Sequence, residues 1–450
     1  VYSQEQTGDT SFIIIDKILI EGNKKTKDRI ILRELNFKEG DTINRKNQKE
    51  IFEWNKNRIF NTNLFITVNL YVVDINSIRK TILITVQERW YIYPIPVFEL
   101  ADRNFNEWWQ DRNRDPERIN AGIFYVQKNV RGRNETLRFK LQAGFTKKIE
   151  LFYLIPYLNK NQKAGLNYEI SYIRNKQVAF MTSENKLLYF DGDKVMIEKF
   201  RTAFTYTYRD KFYETHALST GFFYNHIADT ISLLNPDFFL KGRNSQRYFS
   251  IKYSFIHDKR DMAYYPLKGK FLRVEIEKSG LGIFNDINQI NLKGEFAWFR
   301  TLHKKIFFAA LAKQKVSFPE KQPYLQSISL GYDKDYVSGY ELYVIEGPHF
   351  SLARLNLKWQ LFSIQKEVES VPVNEFQTIP FAIYLKIYSD AGYVWNPYVM
   401  SANARFSNEF LCGAGIGLDV VSYYDFVMRL EYSVNRTGGH GFFLHFRSGI

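Results

Sequence analysis

The sequence predicts an N-terminal α+β domain followed by a 16-stranded antiparallel transmembrane β-barrel, and three observations carry that expectation. Aromatic residues make up 17% of the 450 positions, with 39 Phe and 30 Tyr, yet the mean hydropathy is slightly negative, so polarity alternates along the chain instead of pooling. No apolar run approaches the roughly 18 residues of a membrane-spanning helix, whereas strands of ~9–11 residues cross a bilayer with only every second side chain facing lipid. From Arg89 onward, turn-bounded alternation replaces the mixed helix and strand periods of the preceding residues. The expected division is a tail at residues 1–11, a small domain at 12–88 and the barrel at 89–450.

The small domain reads as a β-α-α-β-β unit. FIIIDKILIEGN opens as a strand that turns at Gly22-Asn23, and Asp28 is the expected cap of a helix from Arg29 to Leu35. Asn44 is the candidate cap of a second helix, whose apolar positions are Ile51, Phe52, Trp54, Ile59 and Phe60. LFITVNLYVVD and TILITVQE close the unit as strands; Ile82, Ile84 and Val86 share one face of the second. The result is a two-layer sheet and helix pair.

Sixteen segments of alternating polarity follow, from RWYIYPIPVFE to GFFLHFRSGI. In the ninth, Leu272, Val274 and Ile276 oppose Arg273, Glu275 and Glu277. In the twelfth, Ala353, Leu355, Leu357, Trp359 and Leu361 oppose Arg354, Asn356, Lys358 and Gln360. In the last, Phe442, Leu444, Phe446 and Ile450 oppose Phe443, His445 and Arg447. An apolar face backed by a charged one is what a lipid-facing wall around a wet or plugged lumen requires. A soluble sandwich also alternates, but its inner face would need a partner sheet and not recurrent charge. The first strand carries Pro94 and Pro96, which donate no ladder hydrogen bond, and barrel closure would pair it with the strand at Gly441–Ile450. Such a seam either opens laterally, or the prolines simply end the edge or lie in the linker.

Other classes are excluded by what the sequence lacks. The formal charge of +14 is spread over alternating strands and forms no basic block or helix, which argues against nucleic acid and for a polar lumen and anionic lipid headgroups. Cys412 is the single cysteine and sits in a strand-like run, so a packing role is expected and an intramolecular disulfide is impossible. The seven His show no metal-ligand spacing, and neither a G-x-S-x-G nor a phosphate-cradling Gly loop is present. The expectation is no enzyme, no cofactor and no metal. The chain begins at Val1 and not at Met, as a product trimmed of an export signal would.

Several motifs in order resemble the BamA superfamily. I-x-I-x-G-N at Ile18 to Asn23, L-x-F-x-x-G-D at Leu35 to Asp41 and the V-x-E ending at Glu88 are similar to a single POTRA domain. HDKRDMAYYPLKGKFLRVEIE is similar to that family's segment leading into the ninth strand, with Asp258, Arg260, Asp261, Tyr265, Pro266 and Gly269 in the matching places. SDAGYVW, GAGIGLDVVS and FVMRLEYSV resemble its terminal strands. DYVSGYELYVIEGPHF falls where the family carries its sixth loop, which folds into the lumen with a V-R-G-[FY] tip. Here the tip reads Val337, Ser338, Gly339, Tyr340, Glu341.

In the family the tip arginine lies against acidic residues of the twelfth and thirteenth strands. The corresponding positions are Asn356 and Asp390, with Lys358 or Lys386 as the donor expected to satisfy Asp390. The loop is expected to dock through neutral hydrogen bonds and the packing of Tyr340 and Tyr343. The resemblance implies a bacterial outer-membrane barrel of a Gram-negative envelope, with its POTRA domain in the periplasm. Its implied role is membrane insertion, assembly or translocation of other polypeptides, a form of protein transport. The implied partners are outer-membrane lipids, unfolded or secreted client polypeptides and envelope accessory proteins. A passive pore and a structural docking subunit are the alternatives.

Overall fold

The computed structural model describes residues 11–74, 78–102, 105–159, 161–332, 334–367, 378–422 and 426–447. Most of the expected tail and the final residues of the last strand, Ile450 among them, lie outside this set. The chain divides into two compact units, one of Val1–Tyr93, Gln127–Leu137 and Glu367–Thr378, the other of the remaining segments.

The first unit contains β1 (Phe12–Glu21), α1 (Asp28–Leu32), β2 (Thr42–Asn44), α2 (Gln48–Phe60), β3 (Phe65–Asp74) and β4 (Arg79–Glu88). The sheet order is β2-β1-β4-β3, with β1 parallel to β4 and the other pairs antiparallel. Ile13 and Ile15 of β1 and Ile82 and Ile84 of β4 point to the helix side, where Ile30, Ile31 and Ile59 bury with them. This is the period-2 and period-3.6 pattern meeting across one layer. Asp28 is the first helical residue and not the cap: Lys27 precedes the helix, and the Asp28 carboxylate instead accepts from Asn23 Nδ2 at 2.6 Å. Asn44 caps a short 3-10 turn ahead of α2 by accepting from Lys46 N. At the end of β4, the Glu88 carboxylate gathers Lys25 N, Thr26 N and Thr26 Oγ1, which closes the loop after Gly22.

The second unit is built on one 16-stranded antiparallel sheet. Its strands are β5 (Ile92–Leu100), β6 (Ile119–Lys128), β7 (Thr136–Gly144), β8 (Thr146–Ile155) and β9 (Ala164–Asn175). A separate hairpin, β10 (Gln177–Ser183) and β11 (Lys186–Asp191), intervenes. The sheet resumes with β12 (Ile197–Arg209), β13 (Glu214–Ile227), β14 (Ser245–Asp258), β15 (Gly269–Ser279), β16 (Gln289–His303) and β17 (Ile306–Phe318); α3 (Asp229–Leu234) lies after β13. A small pair, β18 (Ile328–Leu330) and β19 (Ile345–Glu346), precedes β20 (His349–Glu367), β21 (Thr378–Trp395), β22 (Phe410–Val421), β23 (Val427–Asn435) and β24 (His440–Arg447). Every sheet strand pairs with its neighbours in sequence, and β5 and β24 are the end strands of the order. The ends approach: Asn106 Nδ2, in the loop after β5, donates to the Phe442 carbonyl at 2.6 Å.

The alternation sorts the two faces. Val274, Ile276, Leu355, Trp359, Ile387, Ile416, Leu430 and Phe442 are exposed on the outside, while Lys358, Lys386, Asp390, Asp419, Glu431 and Phe443 are buried on the inside. A sheet that turns its apolar side out and buries its charges inverts the soluble pattern, which is the arrangement for a barrel in lipid. No helix among the described residues is long and apolar enough to cross a membrane. One end carries short turns such as 304–305 and 210–213. The other carries the long loops 176–196, 228–244, 319–348 and 396–409.

Candidate functional site

The loop between β17 and β20 re-enters the barrel. Its tip is buried, with Val337 at 1%, Ser338 at 5%, Tyr340 at 3% and Glu341 at 3% exposure. Two glycines permit this seat. Gly339 has φ +82°, and a Cβ there would stand 2.9 Å from Asn435 Cβ; a Cβ on Gly413 of β22 would fall 1.8 Å from the Ser338 carbonyl oxygen. Asn435 Nδ2 donates to the Gly339 carbonyl at 2.6 Å, which holds the turn against β23. Tyr340 and Tyr343 both meet the edge of Phe406, at 5.2 and 4.8 Å between ring centres, within a cluster that includes Leu330, Val337, Phe350 and Leu411.

Ser338 lies on Asp390. Its Oγ donates to Asp390 Oδ2 at 2.6 Å and its backbone N–H to the same oxygen at 3.2 Å. The cation at this carboxylate is neither Lys358 nor Lys386 but Arg354 of β20, whose Nε is 3.4 Å from Asp390 Oδ2. Lys386 sits four residues, about 13 Å, along the same strand and cannot reach; it pairs with Asp419 at 2.9 Å and with Glu431. Lys358 lies over the Tyr265 ring at 3.9 Å. Arg354 also donates to the carbonyls of Lys334, at 3.1 Å, and Tyr336, so one wall guanidinium ties Asp390 to two loop carbonyls. Asn356 lines, with Ser338, Arg354, Lys358 and Asp390, a lumen cavity of about 200 Å³.

Glu341, next along the loop, is pushed up to about 8 by burial, with the nearby Glu431 and Asp390 charges acting in the same direction. On the other side of the tip, Lys313 Nζ holds Asp335 at 2.8 Å.

The segment before the ninth sheet strand reaches the same lumen. Asp258 and Arg260 form a two-point pair at 2.8 and 2.6 Å, and Asp261 Oδ1 accepts from Met262 N and Leu267 N across the Pro266 turn that leads to Gly269. Tyr265 is 1% exposed, packs on Tyr384 and Phe307, and donates its hydroxyl to Asp419 Oδ2 at 2.9 Å. From there the contacts run on without a gap. Asp419 pairs with Lys386, and Lys386 with Glu431. Glu431 faces His445 Nε2 at 3.2 Å, and His445 stacks on Tyr336 at 5.3 Å, under Arg354. This ladder joins the loop tip to the short-turn end. Sequence reasoning placed Arg354 and His445 on the inner face but gave them no role, and it passed over Asp419, Arg429 and Glu431. Their signal was their alternation on neighbouring strands, where Asp419 faces Arg429 and Arg429 faces His445 in register.

The long-loop end is roofed. At the turn of the β10–β11 hairpin, Glu184 N donates to Ala402 O at 3.0 Å, and Asn185 exchanges backbone and side-chain bonds with Val344 at 2.7 and 3.2 Å. Asn403 Nδ2 donates to Thr182 O at 2.8 Å, and Thr182 and Tyr332 both donate to Glu346. At the seam, Pro94 and Pro96 of β5 are exposed, as is Phe442 at 66%. Phe446 pairs through its backbone with Met428, and its side chain lies outside the described set.

Two family profiles match the chain. A family profile described as the Omp85 superfamily domain matches residues 129–440, and one described as POTRA, a surface antigen variable number repeat, matches residues 13–89. The fold is similar to that of BamA from Haemophilus ducreyi lacking POTRA domains 1–3, at 14% identity and TM-score 0.53, covering 96% of this chain and 84% of that one. It is also similar to CdiB from Escherichia coli, at 12% identity and TM-score 0.58, covering 96% and 76%. A search of curated proteins finds no match.

Proposed function

The chain belongs to the Omp85 superfamily, and from that membership we propose that it is an outer-membrane barrel that assists the insertion, assembly or translocation of other polypeptides. Its POTRA domain lies in the periplasm in this reading. The observation that carries the reading is the docked sixth loop. A lumen occupied by a buried Ser338–Asp390–Arg354 contact, beneath a roof of bonded loops, suits a gated path and not a standing channel. The passive pore is the weaker alternative for that reason. The POTRA sheet offers a ten-residue edge in β3, where Tyr71 and Val73 are exposed, and an extended client segment can add there by backbone pairing.

The test is depletion followed by a quantitative census of outer-membrane and surface proteins. Loss of many barrels identifies an insertase, and loss of one secreted product a dedicated translocator. An unchanged census, with the protein co-purifying in an envelope complex, overturns the proposal in favour of a docking subunit. Steady, wide conductance of the purified chain in planar bilayers overturns it in favour of a pore.

A further inference from the structure

A second concave site lies outside the lumen, at the long-loop end, between the loops 228–244 and 280–288 and the start of loop six. It is a recess of about 610 Å³, within the range of small-molecule and lipid-headgroup sites. Its apolar lining includes Phe239, Leu240, Leu281, Phe284, Ile287 and Pro323. Its charged lining is Lys241, Arg243, Lys278 and Lys321 against Asp286 alone. Two of these cations are structural. Arg243 Nη1 is committed to Asn285 O at 2.8 Å and Asp286 at 3.3 Å, and Lys278 to Ser279 O at 3.3 Å and to Asn288. The other two are available: Lys321 is 3.8 Å from an exposed Asp237, and among the described residues Lys241 has no hydrogen bond or ion pair.

The backbone that presents Lys241 is strained. Leu240, Lys241 and Gly242 have φ of +64°, +58° and +64° in succession. L-residues enter this region singly and at a cost, so two side-chain-bearing residues in a row need compensation. Phe238 and Phe239, each 1% exposed, anchor the segment, and Leu240 and Lys241, one and two residues beyond Phe239, line the recess. The recess also lies beside the apolar outer wall. Leu281 and Ile283 are 39% and 65% exposed on its rim loop, and Ile290 and Phe318 are exposed where β16 and β17 end at the same height.

We propose that this recess binds a phosphorylated lipid of the surrounding leaflet, with the phosphate between Lys241 and Lys321 and acyl chains along Leu281, Ile283 and the β16–β17 ends. A free anion would use the cations and leave the apolar lining in water. A neutral lipid would cover the apolar lining and leave the cations unsatisfied. A phosphorylated, acylated ligand satisfies both, as basic pockets at membrane interfaces do for lipid headgroups. The inference rests on the barrel spanning a membrane, which insertion into phosphatidylcholine vesicles tests separately.

The experiment titrates the full chain, in neutral detergent, with diphosphoryl lipid A and follows bound lipid by native mass spectrometry. Inorganic phosphate and phosphatidylcholine serve as competitors. The expected result is one tightly held lipid A, displaced by neither competitor and bound about 30-fold more weakly by the Lys241→Ala/Lys321→Ala variant, a factor of about five per cation. Both lysines lie on the rim, and unchanged heat-modifiable migration of the variant shows that its barrel is intact; Lys241→Arg/Lys321→Arg restores binding. Equal affinity of parent and alanine variant overturns the proposal. So does displacement by inorganic phosphate, which marks an anion site only, or by phosphatidylcholine, which marks an apolar groove only.

Discussion

Replacing Arg354 by Gln isolates what holds the sixth loop. The guanidinium side chain is 14% exposed and Asp390 3%, so the pair is largely out of water, and its loss leaves Asp390 with Ser338 as its remaining hydrogen-bonding partner among the described residues. Both partners sit on the wall in either state, so the cost falls on docking because only the docked loop shuts the unpaired Asp390 away from water, where removing one member of a buried pair costs about 3–5 kcal/mol. The two loop carbonyls that Arg354 holds, at Lys334 and Tyr336, are lost at the same step. A docked loop destabilised by about 4 kcal/mol is released about a thousand times more often. Limited proteolysis at Lys334 in reconstituted protein reads this directly, and bursts of conductance in planar bilayers read it independently. Arg354→Gln/Asp390→Asn removes both charges and is expected to recover most of the protection, since replacing both members of a buried pair is near neutral. If Arg354→Gln is as protected and as silent as the parent, or if the double variant is as open as the single one, this account of docking is wrong.

Gly413→Ala drives a methyl group into the Ser338 carbonyl, 1.8 Å from the ideal Cβ position, and is expected to open the loop about as much as Arg354→Gln in the same proteolysis assay. Tyr265→Phe removes a hydrogen bond to a buried carboxylate and is expected to cost about 1.5–3 kcal/mol, read as a lower temperature for the heat-modifiable mobility shift, with little effect on loop protection. Glu341 carries the pH dependence. Its buried carboxyl, raised to about 8, takes up a proton on docking, so docking is strongest below the ordinary carboxylate range, weakens as pH rises from there to about 8 and levels off above it. Glu341→Gln is expected to abolish the difference in loop protection between pH 6 and pH 9; a difference that persists assigns the effect to another group.

The barrel was legible because alternation is a property of each strand alone. Leu355, Leu357 and Trp359 are exposed and Lys358 is buried as their spacing dictates, with no tertiary information needed. Loop six was legible as a loop through Gly339 and its place in the strand order. The cation on Asp390 was not, because which inner-face residue of β20 reaches that carboxylate depends on the stagger between β20 and β21 and on the depth of the loop. Both Arg354 and Asn356 point inward, and the choice of Asn356 came from resemblance while Arg354 makes the contact. The β10–β11 hairpin was missed for a local reason. Its turn, Glu184-Asn185, takes φ of +51° and +58°, a mirror-image turn normally marked by Asn-Gly or Asp-Gly, and Glu at the first position hides it.

The move of the cation from the loop to the wall changes the energetics of release. In the pattern that the tip motif resembles, the arginine travels with the loop, so undocking strips the lumen carboxylate of its countercharge. Here Arg354 stays on β20 beside Asp390 whether the loop is in or out. Undocking breaks the two Ser338 hydrogen bonds and the two carbonyl bonds to Arg354, but it leaves the ion pair standing. Hydrogen bonds to charged groups are worth about 1.5–3 kcal/mol each when the partner is left dry, and less when water enters as the loop leaves. The penalty of a stranded charge, several kcal/mol by itself, is absent. A loop held in this way is released more easily than one carrying its own cation. Moving the charge back, with Ser338→Arg and Arg354→Ser together, is therefore expected to lower the frequency of conductance bursts below that of the parent; a higher frequency, from a correctly folded barrel, refutes it.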